Sequence, residues 1–495
     1  MTGSVGLPHP ARTGPIVDAD GHVVEPESAW NALPERYRPR IRADRGGYEH
    51  VLVGDTEILA VPLGTLARPG STFDDPASFR PLADAMPGGS DPVARLRDMD
   101  SEGIDQSVLY PTIGLYFSAL EDPVAAVALA AAYNDWLAEY CAADPRRLFG
   151  AAMLPLQDPA AAAAELRRAV TQLGLVAGFV RPNPCVGRAL SDSAYDVLWD
   201  VAEELSVPIG MHEGSSMTVP TLGADRPFNP LLLHAVSHPF EAMLACAQLM
   251  AFGTLEHHPG LRFLFLESSG GWVPFWLERL DEQAESFGGF CPDMALRPSE
   301  YFARQCAVSF DVGEHTLPAL APFVGEGRIV WGSDYPHHDA TFPGAVEAIR
   351  TTVARCRTAA QVHVLGLNAR RLYRLPSRRS GLPGLIDDYF TAVTAQEIDL
   401  VRALFTPDAL FESGEVRLQG LDAISSYYTS KTFTFEDFRP VPGTPIFDGT
   451  RIHVDIEVDL GGARSSVHDL FETDGTRITA LHVSGFEEAL RTAER

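Results

Sequence analysis

The chain has 495 residues, 45 % of them hydrophobic, too many for one ordinary domain and enough to bury a large core. Its formal charge is −27, with 66 acidic against 39 basic residues; so acidic a surface repels phosphate backbones and anionic headgroups, which excludes nucleic acid and membrane surfaces as partners. The cysteines 141, 185, 246, 291, 306 and 356 form no C-x-x-C pair and read as reduced, mostly buried thiols. Residues 1–13 have no leader-type apolar core, and no run of about 18 apolar residues exists, so a soluble cytoplasmic protein is expected.

In chain order, residues 14–22 (GPIVDADGH) read as a short buried strand ending in polar residues, and 46–64 as a hairpin excursion. A helix over 92–102 leads to a strand at 106–110, a helix over 122–140 to a strand at 148–154, and an Ala-rich helix over 159–173 to a strand at 177–180 ending in Arg181. A helix over 193–205 leads to a strand at 208–211 ending in His212; an insertion of about 215–240 then precedes a helix over 241–256. Three more strands follow: 262–266 ending in Glu267, 307–312 ending in Gly313 and Glu314, and 328–331 ending in Gly332, Ser333 and Asp334. The helix 344–355 and the segment 365–375 close the unit. Short apolar strands alternating with helices predict parallel βαβ units, and eight of them fit an α/β fold of the (β/α)8, TIM-barrel type.

The Pro/Gly-rich stretch 376–384 reads as a linker, and the domain limits are set at 14–376 for the barrel, 377–382 for the linker and 383–490 for a smaller α+β domain. That domain opens with helices over 385–395 and 398–404. In RIHVDIEVD (451–459) Ile452, Val454, Ile456 and Val458 face one way, the pattern of a half-buried antiparallel strand. Strands at 464–472 and 477–486 complete a curved antiparallel sheet.

In such barrels chemistry sits at the C-terminal strand ends. Asp20 and His22, two residues apart in an extended segment, point the same way. His212 and Asp334 end two later strands. Two carboxylates and two imidazoles form a donor set suited to Zn²⁺, Mn²⁺ or Fe²⁺, whereas any one of them alone reads as a structural residue.

The segments VDADGHVVEP (17–26), RDMDSEGIDQSVLYPT (97–112), YNDWLAEYCAADPRRLFGAAMLPLQDP (133–159), GMHEGSS (210–216), HHPGLRFLFLESSGGWVPFWLERLDE (257–282) and WGSDYPHHD (331–339) resemble the amidohydrolase-related family that includes aminocarboxymuconate-semialdehyde decarboxylase and the resorcylate-type decarboxylases. The resemblance implies one divalent ion, zinc first with manganese or iron as alternatives, held by Asp20, His22, His212 and Asp334. Asp20 stands where the family carries His or Glu and adds negative charge. Binuclear superfamily members use a carboxylated lysine on the fourth strand; the chain's single lysine, Lys431, lies in the other domain, so a mononuclear site is the consistent reading.

Many relatives carry a His after the sixth strand, where LESSGGW places Glu267. Glu267 reads either as a general acid/base raised by burial or as a structural partner of an arginine. His238, in SHPFEAML (237–244), reads as a catalytic or substrate contact or as a packing residue. Arg181 offers its fork to a substrate carboxylate or to an ion pair, and His337 and His338 line the pocket mouth. Asp334 is assigned a catalytic role besides ligation, and His257 and His258 none. LIDDYFTAVTAQEIDLVRALFTPDALFESGE (385–415), LQGLDAISSYY (418–428) and VHDLFETDGTRITALHVSG (467–485) resemble the SnoaL-like fold, with Glu412, His468, Asp469 and His482 as residues that face its cavity.

The expected function is a mononuclear metal-dependent lyase, decarboxylase-like, acting on a small carboxylated cyclic or unsaturated metabolite. The alternatives are a hydrolase or hydratase using the same ligands, a non-catalytic scaffold, and a cyclase activity in the second domain. Expected partners are a small-molecule substrate and further copies of the chain in a homodimer or larger homo-oligomer.

Overall fold

The computed structural model describes residues 14–216, 218–226, 229–436, 438–460, 463–486 and 489. The N-terminal stretch read above as lacking a leader lies outside the described residues. Two compact units are present: Ile16–Thr352 with Asn368–Leu375, and Val353–Leu367 with the described part of Pro376–Arg495.

The first unit is a parallel sheet of eight strands in sequential order: β1 (Val17–His22), β2 (Gln106–Tyr110), β3 (Leu148–Met153), β4 (Ala177–Val180), β5 (Ile209–Met211), β6 (Phe263–Phe265), β7 (Cys306–Asp311) and β8 (Ile329–Gly332). The last strand returns to the first: Asp334 N–H donates to Asp20 C=O (2.9 Å) and His22 N–H to Tyr335 C=O (2.7 Å), beside the candidate ligands themselves. Asp18 ties the same seam, accepting from Ser333 N–H (2.9 Å), Ser333 Oγ (2.8 Å) and Ser107 Oγ (3.0 Å). Every residue of β1 and β2 is buried, as expected of strands covered on both faces.

Three crossover helices begin with the same Asp-Pro pair. Asp91, Asp122 and Asp158 cap Pro92–Glu102, Pro123–Cys141 and Pro159–Leu173, their carboxylates accepting from Val93 (2.9 Å), Val124 (2.9 Å) and Ala160 (3.1 Å) N–H. Proline at the first helical position loses no hydrogen bond there. Between β1 and β2 a three-stranded antiparallel sheet, Arg40–Ala43, Glu49–Val53 and Thr56–Val61, replaces the simple hairpin expected.

The insertion after β5 is also corrected. A helix runs Pro230–Ala251, capped by Asn229 and passing through Pro239, where a helix was expected only from 241. Proline disfavours helix in the residue before it, yet the helix passes through Pro239 here. Among the described residues no helix is long and apolar enough to cross a membrane, and all six cysteines are free, four of them buried.

The second unit packs helices Gly381–Thr394, Ile398–Leu404 and Leu421–Ser430 on a seven-stranded sheet. Its strands are β9 (Phe405–Ser413), β10 (Val416–Gln419), β11 (Arg439–Pro442), β12 (Ile446–Asp448), β13 (Arg451–Leu460), β14 (Ala463–Thr473) and β15 (Ile478–Ser484), in the order β10-β9-β15-β14-β13-β11 with β12 also on β13. Ile452, Val454, Ile456 and Val458 are buried as their alternation requires. The first helix starts at Gly381, inside the stretch read as linker, where Arg379 pairs with Asp387.

Candidate metal and active site

Strand ends bring the candidate donors together. His22 is the last residue of β1, His212 follows β5, and Asp334 lies two residues past β8. The i, i+2 relation of Asp20 and His22 survives a register irregularity between Asp18 and Gly21, for both side chains face one cluster.

The tautomers of the two imidazoles follow from their partners. His22 Nδ1 lies 2.8 Å from Pro111 C=O and His212 Nδ1 2.5 Å from Glu213 C=O; a carbonyl only accepts, so both Nδ1 atoms carry the proton. Each Nε2 is left with a lone pair, and the two Nε2 atoms lie 3.0 Å apart. Two bare acceptors at that separation repel unless a cation lies between them. Asp20 Oδ1 lies 3.5 Å from His22 Nε2 and 3.7 Å from His212 Nε2, and Asp334 Oδ1 3.2 Å from His22 Nε2. Donors about 2.1 Å from a common centre are about 3.4 Å apart in a tetrahedron, and these four spacings match that; Asp20, His22 and His212 form one close triad, while Asp334 shares others with His22 and His337 and with His212 and Glu267. Asp20 Oδ1 and Asp334 Oδ2 are buried with no hydrogen-bond partner, the condition of carboxylates shaped to face a cation. The residues present therefore fit a divalent metal.

Electrostatics agree. Burial holds both Asp20 and Asp334 well above the usual carboxylate range; the charge of Glu267 adds to this at both, while His212 opposes it at Asp20. Burial lowers His212 and takes His22 down to about 4, so neither competes for a proton with a metal. His337 orients the last ligand: its Nδ1 is 2.8 Å from Asp334 Oδ1, its Nε2 2.9 Å from Thr112 Oγ1, and its ring lies tilted against His22 with centroids 4.0 Å apart.

Glu267 lies beside the cluster with a left-handed backbone (φ 40°), 3.2 Å from His212 Nε2 and 3.5 Å from His238 Nε2. Burial works to raise it, but His238, His212 and His234 outweigh burial and hold it well below the usual carboxylate range. The expectation of a raised Glu267 is therefore reversed, and its partners are imidazoles, not an arginine. Burial would lower His238, yet the facing charges of Glu267 and Glu213 raise it to about 9, so this ring carries a proton at neutral pH.

Arg181 is 2 % exposed and committed to the protein: Nη2 donates to Glu213 Oε1 (2.6 Å) and Gly214 C=O (2.8 Å), Nη1 to Leu115 C=O (3.0 Å) and Nε to Asn183 Oδ1 (3.1 Å). That geometry is the ion pair, not a fork held open for substrate. His338 is half-buried near the mouth, 3.8 Å from Asp339 and beside Phe73. His258 is buried among Asp196, Asp200 and Glu203 near the other ends of the strands.

Glu213 and Glu25 escaped the sequence reading. Glu213, adjacent to His212 in the quoted GMHEGSS, buttresses Arg181 and faces His238 at 3.7 Å. His234 meets Asp339 at 3.3 Å. Glu25 accepts from the N–H groups of Thr112, Ile113 and Gly114 (3.3, 2.8 and 2.9 Å) and so fixes the loop that carries Thr112 and Pro111. Glu25 stood in the quoted first-strand segment, but only the fold shows what a carboxylate there grips.

A nearly closed parallel barrel with a candidate divalent-metal donor set at its strand ends has the architecture of the metal-dependent TIM-barrel enzymes. Residues 17–375 match the family model described as Amidohydrolase, and residues 386–481 that described as SnoaL-like domain. The chain belongs to the amidohydrolase family, with a SnoaL-like domain at its C-terminal side. It is 31 % identical over 300 residues to the gamma-resorcylate decarboxylase of Rhodococcus jostii, covering 54 % of this chain and 85 % of that one. It is 27 % identical over 247 residues to the 2-amino-3-carboxymuconate-6-semialdehyde decarboxylase of Dictyostelium discoideum, covering 50 % and 67 %. In fold it is similar to a dihydroxybenzoic acid decarboxylase of Polaromonas solved with manganese and the inhibitor 2-nitroresorcinol, at TM-score 0.54, 21 % identity and coverage of 74 % and 98 %.

Proposed function

We propose that this chain is a mononuclear metal-dependent decarboxylase of a small carboxylated aromatic compound, with His22, His212, Asp20 and Asp334 as ligands. The observation that carries the reading is the pair of Nε2 lone pairs facing each other 3.0 Å apart, flanked by two carboxylates with unpartnered oxygens. A divalent ion held by these four residues would supply positive charge to a substrate carboxylate. Zinc suits this donor set, and so does manganese, which the Polaromonas relative holds.

The chain's own residues supply the rest. Cleavage of the bond to the carboxylate releases CO2 and leaves a carbon that must gain a proton. His238 carries a proton at Nε2 against Glu267 and serves as its reservoir, while His337 holds Asp334 in place. Arg181 stiffens the wall through Glu213 and does not hold substrate. The reading places the protein in the cytoplasm, where six free thiols persist, and as a homo-oligomer, which light scattering tests.

The test is CO2 release from a panel of ortho-hydroxybenzoates, gamma-resorcylate among them, by protein reconstituted with zinc or manganese. Metal-dependent release supports the reading. A metal-loaded protein that hydrates or hydrolyses unsaturated acids and releases no CO2 replaces it with the hydratase alternative.

A further inference from the structure

At the N-terminal ends of the barrel strands, opposite the candidate metal ligands, lies a cavity that the proposed reaction does not use. Its volume is about 310 Å³, at the lower end of the range of small-molecule sites, about 300–1,000 Å³. Arg262 lines it just before β6, Cys306 at the start of β7 and Arg328 just before β8, while Asn368 and Arg371 approach from the helix Asn368–Tyr373. All of them belong to the first unit. The amides of this wall are committed to the frame. Gln305 Nε2 donates to His258 C=O (2.7 Å) and Leu261 C=O (3.1 Å), and its Oε1 accepts from Arg304 Nε (2.7 Å). Asn368 Nδ2 donates to Glu326 C=O and Ile329 C=O, both at 2.7 Å. These bonds tie the strand ends together and fix the shape of the cavity.

The guanidiniums are placed differently. Arg262 gives Nη2 to Ser206 C=O (2.7 Å), but its Nε is buried with no hydrogen-bond partner. The Arg328 side chain makes no hydrogen bond or ion pair among the described residues, and no Asp or Glu is among the described lining residues. A guanidinium keeps its charge at any pH the fold survives. Like charges therefore face one cavity without a carboxylate, in a chain whose net charge is −27. Burial lowers both Arg262 and Arg328, and the charges of Arg374 and Arg328 press further on Arg262. A buried donor without a partner and facing like charges both cost free energy, and an entering anion relieves both.

We propose that this cavity binds a phosphate group, free or as the monoester of a small metabolite, between Arg262 and Arg328 with Arg371 at the rim. The planar fork of a guanidinium matches the oxygens of phosphate, and each bond it gives them is charge-assisted. More than one arginine demands more than one negative charge, which phosphate carries at neutral pH and a lone carboxylate does not. The volume exceeds a single phosphate and leaves room for a small organic part. Because the site lies at the other end of the barrel from Asp20, His22, His212 and Asp334, the proposal does not rest on the decarboxylase reading.

The test is calorimetric titration of the full chain with inorganic phosphate and with glycerol phosphate, with succinate as the control, at about pH 7.5, where phosphate is mostly a dianion. At least one of the two phosphates is expected to bind the wild type. Arg328→Met is expected to fold, since that guanidinium holds no part of the frame, and to lose at least about tenfold in affinity. Arg328→Lys keeps the charge without the fork and is expected to fall between the two. His212→Ala is expected to bind as the wild type, which separates this site from an anion held at the metal ligands. Tighter binding of glycerol phosphate than of phosphate assigns the site to an ester, and the reverse assigns it to the free ion; either result supports the proposal. Succinate binding as tightly as the phosphates, affinity unchanged in both Arg328 variants, binding lost in His212→Ala, or no binding of either phosphate by folded wild type would each overturn it.

Discussion

Gly332 ends β8 against the candidate ligand Asp20, and its lack of a side chain is a steric requirement. A Cβ built there would lie 2.4 Å from Asp20 Cβ, 3.3 Å from Asp20 O and 3.4 Å from Asp20 Cα. Ordinary carbon contacts begin near about 3.5 Å, so Gly332→Ala must push β1 and β8 apart by about 1 Å where they carry Asp20, His22 and Asp334. The clash is with a Cβ and backbone, which cannot rotate away. Overpacking of this kind costs about 1–3 kcal/mol of stability, and a ligand displaced by about 1 Å costs about 100-fold in turnover. The assay is metal affinity by competition with a chromogenic chelator, with thermal unfolding alongside. Gly313→Ala is the control, since nothing lies within 4 Å of a Cβ built there. The expected result is a 10- to 100-fold weaker metal affinity, roughly the range for a disturbed ligand environment, in a protein that still folds, with the control unchanged. A Gly332→Ala protein that binds metal like the wild type would refute the placement of Asp20 and Asp334 in one site.

Three further outcomes are expected. His337→Phe keeps the ring contact with His22 but removes the hydrogen bond to Asp334, and metal affinity should fall about tenfold with little change in melting temperature; an unchanged affinity would deny His337 its orienting role. Arg181→Met leaves buried Glu213 without its arginine and with only His238 at 3.7 Å facing it, which should cost about 3 kcal/mol in chemical denaturation, and adding Glu213→Gln should restore part of it; equal stability of the single mutant would return Arg181 to the substrate. For Asp469 the unfolded carboxyl ionises near about 4 and the folded one near about 8. Below the lower value both states hold the proton; between the two the unfolded state loses it first, so stability falls as pH rises, by about 1.4 kcal/mol per pH unit, and levels off above the upper value. Asp469→Asn should flatten that slope, and parallel wild-type and mutant curves would contradict the buried, protonated acid.

Much of the barrel was legible because its signals are local. The strands at 106–110 and 177–180 and the helices at 92–102 and 159–173 have the same limits in the structure as in the sequence, for Asp-Pro starts and Gly103 and Gly174 stops punctuate them. The helix Pro230–Ala251 was read about ten residues short at its start, inside the segment taken as an insertion. Strands β10, β11 and β12 are short, 4, 4 and 3 residues, and β11 contains two prolines, so no alternation announced them. At the site, Asp20, His22, His212 and Asp334 were singled out because strand-end position is a one-dimensional signal; the structure groups Asp20 with His22 and His212, and Asp334 with His22 and His337 and with His212 and Glu267. What Glu267, Arg181 and His337 do was not legible, since it depends on which side chains converge from distant segments. Glu267 is a depressed carboxylate because His238 and His234, carried on the helix Pro230–Ala251, and His212 at the end of β5 all face it.

The most direct test is the metal content of protein purified without chelator or affinity metal, beside His212→Ala and Asp334→Asn. Close to one zinc or manganese ion per chain, lost in both variants while their folded content by circular dichroism is kept, is the result predicted here. A wild type that remains empty after reconstitution with either ion, or variants that retain it in full, would contradict the site.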